Sequence, residues 1–160
     1  MTTFKRYPKI HRLGKEETDG ILIGEVHVEE KIDGANAQIW SGEQGVACGS
    51  RNNTLCSDVH NPVEGNNMFN GFVQWCADST GVNSLLSDHP EYRLYGEWLV
   101  KHTIHYTETN FNKFYLFDIT TVNDEEVEEY LPKAKVLELA DKYGILTPTY
   151  HGTFNDPDPE

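Results

Sequence analysis

Residues 24–50 read GEVHVEEKIDGANAQIWSGEQGVACGS, and the alternation in this stretch decides the architecture. Through Gly24-Glu25-Val26-His27-Val28-Glu29 apolar residues recur with the period of a half-buried strand, and the run stops at Asp33-Gly34. Alternation resumes from Ala35 to Trp40. Ser41 to Gly45 (SGEQG) supplies turn chemistry and Val46-Ala47-Cys48 is extended again, so 35–50 reads as a β-hairpin. The domain therefore opens as antiparallel β.

Between Asn67 and Ala77, the residues Met68, Phe69, Phe72, Val73 and Cys76 fall at helical spacing, and Val82 to Ser87 reads as a second short helix ahead of His89-Pro90. Tyr92–Val100 and Phe114–Thr120 are short and rich in aromatic and aliphatic residues, as buried central strands are. After Pro132, KAKVLELADKYG puts Val136, Leu137, Leu139 and Ala140 on one side of a helix that stops at Gly144, and Ile145–Tyr150 returns to strand. Hairpins interleaved with non-alternating helices predict an α+β fold, with mostly antiparallel sheets flanked by helices. No GxGxxG follows a strand, which excludes a Rossmann fold.

The chain has 160 residues, 38% of them apolar, enough for one ordinary domain. We expect that domain to span residues 1–152, with an acidic, frayed tail at 153–160 that ends in DPDPE. No apolar run approaches the roughly 18 residues that cross a bilayer, and MTTFKRYPKIHRLGK has no apolar signal core. The expected setting is cytoplasmic, with no membrane partner. Thirteen Lys plus Arg against 26 Asp plus Glu leave a formal charge of -13, which excludes holding nucleic acid by bulk charge. Any such contact must be local. Charge is unevenly spread: residues 1–15 carry Lys5, Arg6, Lys9, Arg12 and Lys15 without an acid, whereas 124–129 read DEEVEE. Cys48, Cys56 and Cys76 suit neither a disulfide scaffold nor a four-ligand zinc site, and read as reduced, semi-buried packing residues.

Chemistry concentrates in a few segments. In Glu30-Lys31-Ile32-Asp33-Gly34 a lysine sits at a strand end beside acids and ahead of a turn glycine. A nucleophilic lysine needs a neutral amine, which nearby cations favour, while a carboxylate such as Asp33 can hold geometry or metal-bound water. The plain alternative is a solvated strand-end lysine. Gly49-Ser50-Arg51-Asn52-Asn53-Thr54 presents one arginine able to fork onto a phosphate or ribose, or simply to cap a loop. Tyr95-Gly96-Glu97-Trp98 breaks an aromatic strand with a glycine, a mark of close approach by a ligand or another backbone, and Glu97 either accepts from a ribose hydroxyl or faces outward. Lys101-His102-Thr103-Ile104-His105-Tyr106 holds two histidines three apart, which without a third ligand do not make a metal site. In Phe114-Tyr115-Leu116-Phe117-Asp118-Ile119, simple alternation puts Tyr115 and Phe117 on one face and Leu116 and Asp118 on the other. An aromatic there can stack on a base or belong to the core, and Asp118 needs a partner.

In order and spacing, EKIDGAN (30–36), GSRNNT (49–54), LYGEWLVKHTIHY (94–106) and FYLFDI (114–119) resemble the nucleotidyltransferase motifs of ATP-dependent RNA ligases, of the phage and bacterial type that seals nicks in RNA. The KHTIHY extension favours this branch over DNA ligases and capping enzymes. The resemblance implies an ATP-grasp-like ligase adenylation domain, represented by its N-terminal portion. It implies that Lys31 attacks the α-phosphorus of ATP to form lysyl-AMP, with Glu30, Asp33, Arg51, Glu97 and Phe117 binding the nucleotide. Glu30 or its backbone would contact adenine, Arg51 the ribose or incoming strand, and Glu97 the ribose hydroxyls, while Phe117 would stack on the base. Gly34, Asn36, Ser50, Lys101 and Asp118 would support the site. The implied cofactors are ATP and Mg²⁺ or Mn²⁺, and the implied partner is RNA with 5′-phosphate and 3′-hydroxyl ends, in a bacterial or phage-infected cytoplasm. No residue is assigned as a metal ligand. The family continues to an EGxVxK segment, whereas the last lysine here is Lys142. The expectation is thus a portion completed by a C-terminal companion segment. The alternatives are a shortened nucleotide- or RNA-binding relative, or capping-type guanylyl transfer on the same lysine.

Overall fold

The computed structural model describes residues 3–63, 69–100, 103–122 and 127–158. The hairpin of the sequence forms as β2 (Ala35–Ser41) and β3 (Val46–Ser50), closed where Gly42 N–H donates to the Gly45 carbonyl at 2.8 Å. It joins β4 (Thr54–Cys56), β5 (Arg93–Leu99), β6 (Lys113–Val122) and β7 (Glu128–Tyr130) in one antiparallel sheet ordered β4-β3-β2-β5-β6-β7. The remaining strands, β1 (Glu25–Glu29) and β8 (Tyr150–Asn155), form a separate antiparallel pair. With three α-helices among the described residues, this is the expected α+β class.

One face of the large sheet carries Ile39, Cys48, Leu94, Trp98, Phe114, Leu116 and Ile119 into the apolar core. Three helices cover it: α1 (Phe72–Asp78), α2 (Thr80–Asp88) and α3 (Lys133–Tyr143), through Phe72, Val73, Cys76, Val82, Leu85, Leu86, Val136, Leu139 and Ala140. The apolar periodicity read after Pro132 is this buried stripe, and α3 stops at Gly144 in the left-handed region. The three cysteines are fully buried instead of semi-buried, and burial pushes the Cys56 and Cys76 thiols up.

Three expectations shift. Helix α1 begins at Phe72, because Phe69 (φ 71°) and Asn70 (φ 45°) adopt left-handed backbone that a helix cannot propagate; Asn67 and Met68 lie outside the described residues. The strand expected at Ile145–Tyr150 begins at Tyr150, since it forms only where β1 is available to pair with it. Its pairing extends to Asn155, opposite Glu25, three residues past 152. No helix among the described residues is long and apolar enough to cross a membrane.

The opposite face of the sheet is crossed by the N-terminal segment. Arg93, 2% exposed, donates to the Thr3 carbonyl and to Gln38 Oε1 (2.7 Å), and lies 4.7 Å above the Trp40 ring. Gln38 Nε2 donates to the Lys5 carbonyl (2.9 Å), and Tyr7 packs on Tyr95 with ring centroids 4.9 Å apart.

Gly96 shows what its absent side chain is for. A Cβ there would lie 2.4 Å from Phe114 Cζ and 2.5 Å from the Tyr115 carbonyl oxygen, so the close approach read from sequence is one of ring and neighbouring strand. Gly96→Ala should therefore cost roughly 1–3 kcal/mol by overpacking, measured as a lower denaturant midpoint with unchanged slope.

Candidate functional site

The turn between β1 and β2 carries Lys31, exposed, then Ile32, which is buried at 7% and anchors the turn. Gly34 follows where a Cβ would stand 2.6 Å from the Trp98 carbonyl oxygen, so only glycine lets this turn lie against β5. Its N–H donates to Glu97 Oε1 at 3.1 Å. Asp33 faces the segment after β5: its N–H donates to the Tyr106 hydroxyl (3.0 Å) and its Oδ2 accepts from Ile104 N–H (3.1 Å). Asp33 thus ties residues 104–106 to the lysine turn. Glu30 points the other way, its Oε2 accepting from the Thr149 hydroxyl (2.9 Å) at the entry to β8.

Lys31, Gly34, Asn36, Ser50, Arg51 and Glu97 line one open cavity of about 410 Å³, with Ile10 and Phe69 among its walls. Strand register explains the grouping. Asn36 lies opposite Glu97 on β5, Ala37 lies opposite Ser50 at the end of β3, and Arg51 follows directly. Burial pushes the Glu97 carboxyl up from its ordinary value, opposed by the Gly34 N–H and by the charges of Lys31 and Arg51. Arg51 Nη2 donates to the Pro8 carbonyl at 2.8 Å, while its Nε and Asn36 Oδ1 are buried without a hydrogen-bond partner among the described residues. Buried polar atoms are seldom left unpaired, and both belong to side chains lining this cavity.

Phe117 and Asp118 are not among its lining residues. They lie nearer the sheet's far edge, and the alternation expected for them does not hold. In the β5–β6 register Tyr95 faces Asp118 but Gly96 faces Leu116, so Phe117 is an inserted bulge residue. The bulge leaves Leu116 in the core, returns Ile119 to it and puts Asp118 on the same side as Phe117. There the Tyr7 hydroxyl donates to Asp118 Oδ2 (2.5 Å), and the Tyr7 ring meets Phe117 edge-on at 5.2 Å. Burial raises the Asp118 carboxyl; the Tyr7 hydrogen bond and Lys133 oppose it. Burial and Asp118 in turn push the Tyr7 hydroxyl up, which keeps it a donor.

Lys101 lies outside the described residues. Tyr7 and Lys133, which meet Asp118, lie in stretches that the sequence marks only for basic charge and for helical periodicity. A signal existed for Lys133, since a cation in the first turn of a helix opposes its dipole.

Chemically, the cavity offers a primary amine, a guanidinium and a carboxylate within one recess. That set suits a phosphorylated sugar, with cations for phosphate and an acceptor for hydroxyls. Among the described residues no group of three or more His, Cys, Asp or Glu side chains could hold a metal ion, so they form no dedicated Mg²⁺ or Mn²⁺ cage.

A family model described as RNA ligase matches residues 24–159. Among solved structures, an archaeal ATP-dependent RNA ligase (form 1) superposes with a TM-score of 0.71 at 20% identity, covering 96% of this chain and 38% of that one. A mutant RNA ligase from Naegleria gruberi, solved with ATP and Mn, gives 0.69 at 16% identity, covering 99% and 46%. The chain therefore spans about two-fifths of the length of these structures. No curated protein matches it.

The raised Glu97 carboxyl makes a stability prediction. The fold favours its protonated form, so its contribution is most favourable below the ordinary value of 4.5 and is lost as pH rises through the raised one. Glu97→Gln should then unfold at a higher urea concentration than wild type at neutral pH, with the gap closing as pH is lowered below that ordinary value. An equal gap at both pH values would show that desolvation of the carboxylate is not its cause.

Proposed function

The chain belongs to the RNA ligase family, and from that premise we propose that it carries the adenylating lysine of an ATP-dependent RNA ligase. The observation that carries this reading is the shared cavity of Lys31, Arg51 and Glu97, drawn from three separate segments of the chain. ATP enters with its phosphates toward Lys31 and Arg51 and its ribose toward Glu97. The neutral Lys31 amine attacks the α-phosphorus, the bond from that phosphorus to the bridging oxygen breaks, and pyrophosphate leaves with the electron pair. Once the attacking nitrogen has released a proton to water, the product is a phosphoramidate, lysyl-AMP. In the remaining steps AMP passes to an RNA 5′-phosphate and a neighbouring 3′-hydroxyl displaces it, closing the phosphodiester. A divalent ion such as Mg²⁺ or Mn²⁺, when bound, shields phosphate charge.

The protein's own residues supply placement. Gly34 lets the lysine turn lie against Glu97, and Asp33 fixes the 104–106 segment beside it. Phe117 offers an aromatic face for the purine along the same sheet face, with Asp118 held behind it by Tyr7. The unpartnered Asn36 Oδ1 and Arg51 Nε are an acceptor and a donor for the sugar and phosphate. Two cationic side chains, Lys31 and Arg51, also reconcile an acidic chain of charge -13 with a polyanionic substrate, because positive charge is needed only where phosphate lies.

Incubation with labelled ATP and Mg²⁺ or Mn²⁺ should give an adenylate-sized mass increase on a peptide containing Lys31, absent in Lys31→Ala. Arg51→Ala and Glu97→Ala should each lower the labelling rate by on the order of 10–100-fold. Unlabelled ATP should compete and GTP should not; effective competition by GTP favours capping-type transfer instead. Label that survives Lys31→Ala, or nucleotide binding with no adduct in wild type, would overturn the reading.

A further inference from the structure

We propose that Lys133 is a positioning residue of the adenylation site, holding the Phe117 bulge in fixed relation to the turn that carries Lys31. The proposal rests on the adenylating reading above. Lys133 opens α3, yet its side chain turns inward and is 13% exposed. Its Nζ donates to both oxygens of Glu29 (3.0 and 3.1 Å) and to the Phe117 carbonyl (2.6 Å), and lies 3.9 Å from Asp118 Oδ1.

One anchor is a break in strand regularity and the other lies beside one. Phe117 is the inserted residue without a partner in the β5 register, whereas Glu29 pairs with Tyr150 next to the irregularity whose extra residue, His151, lies on β8. An irregular strand position is poorly determined by its own ladder. One ammonium therefore bridges the two sheets, from the bulge in β6 to a β1 residue beside the irregularity in β8. Glu29 is two residues from Lys31, and Phe117 presents the aromatic ring. What the bridge sets is the separation between nucleophile and base platform.

Helix stability does not explain the residue. A cation in the first turn opposes the helix dipole, and α3 has no side-chain cap at Pro132 that Lys133 could assist. Lys135, one turn position further, shows the ordinary alternative: it is 44% exposed and pairs with Glu138 on its own helix. Charge neutralisation accounts for the contacts of Lys133 with Glu29 and Asp118. The carbonyl contact to Phe117 is the part a purely neutralising lysine would not make.

The test compares wild type, Lys133→Met, Lys133→Arg and Glu29→Gln. Amide hydrogen exchange of the protein without nucleotide should accelerate in Lys133→Met at residues 30–34 and at 117–118, with the β2–β3 hairpin unchanged. In the labelling assay its maximal rate should fall on the order of tenfold or more, as for a misplaced reacting group, while the ATP concentration for half-maximal rate changes less. Lys133→Arg should recover part of the loss. A role in stability alone would lower the unfolding midpoint but leave the rate of the folded variant unchanged. Where Lys133→Met does not fold, Glu29→Gln gives the same readouts with the ammonium retained. Wild-type exchange at either segment, or a wild-type maximal rate in the folded variant, overturns the proposal. Absence of lysyl-AMP in wild type overturns the adenylating reading instead, and the exchange comparison still decides whether Lys133 couples the two segments.

Discussion

The β-bulge at Phe117 is the constraint on which the arrangement of this face depends. With unbroken alternation Asp118 would share a face with Leu116, among Trp98, Phe114 and the helices of the core. A carboxylate there, without partners, carries a desolvation penalty of several kcal/mol. The extra residue turns Asp118 to the other side, where Tyr7 and Lys133 meet it, and restores Ile119 to the core. It also crowds β5, and Gly96 accepts the Phe114 ring because it has no Cβ to offer.

The polar face has a second organising feature. Three side chains that the sheet presents there, Gln38, Arg51 and Arg93, each donate to a main-chain carbonyl of the N-terminal segment, at Lys5, Pro8 and Thr3. The segment is thus attached mainly through its backbone, although Lys5 also reaches Glu128 at 2.9 Å. Burial raises the Glu128 carboxyl, but the Thr120 hydroxyl, Lys5 and Arg93 outweigh it and hold that carboxyl below its ordinary value. The same segment supplies Tyr7 to Phe117 and Ile10 to the cavity wall. A run conspicuous in sequence for its basic charge functions structurally through carbonyls and an aromatic ring.

Much of the fold was legible because its signals are local. Period-two alternation in 24–50 marked β1 and the β2–β3 hairpin, and the apolar stripe after Pro132 marked α3 with its stop at Gly144. Legibility failed where a distant partner decides. Residues 145–149 (ILTPT) open with two aliphatics but include Pro148, which has no N–H for a ladder, and the β8 strand begins at Tyr150, where β1 lies alongside. The start of α1 was displaced by left-handed backbone at Phe69 and Asn70; Asn70-Gly71 is a turn-prone pair, whereas the Phe69 side chain gives no warning of it. The bulge was invisible for the same reason: nothing in FYLFDI distinguishes six regular residues from five regular and one inserted.

By itself the amino-acid sequence determined the α+β class, most strand and helix positions and the four ordered motifs that align this chain with its family, since each depends on residue type at short spacing. Only the tertiary structure decided which motif residues share a space. Antiparallel register put Asn36 beside Glu97 and brought Ser50 and Arg51 level with the Lys31 turn. It turned Glu30 toward Thr149 and made Asp33 a tie to Ile104, and it drew Lys133 from a helix to two strands. Side-chain direction is set by pairing with residues dozens of positions away, and no short window of sequence contains that information.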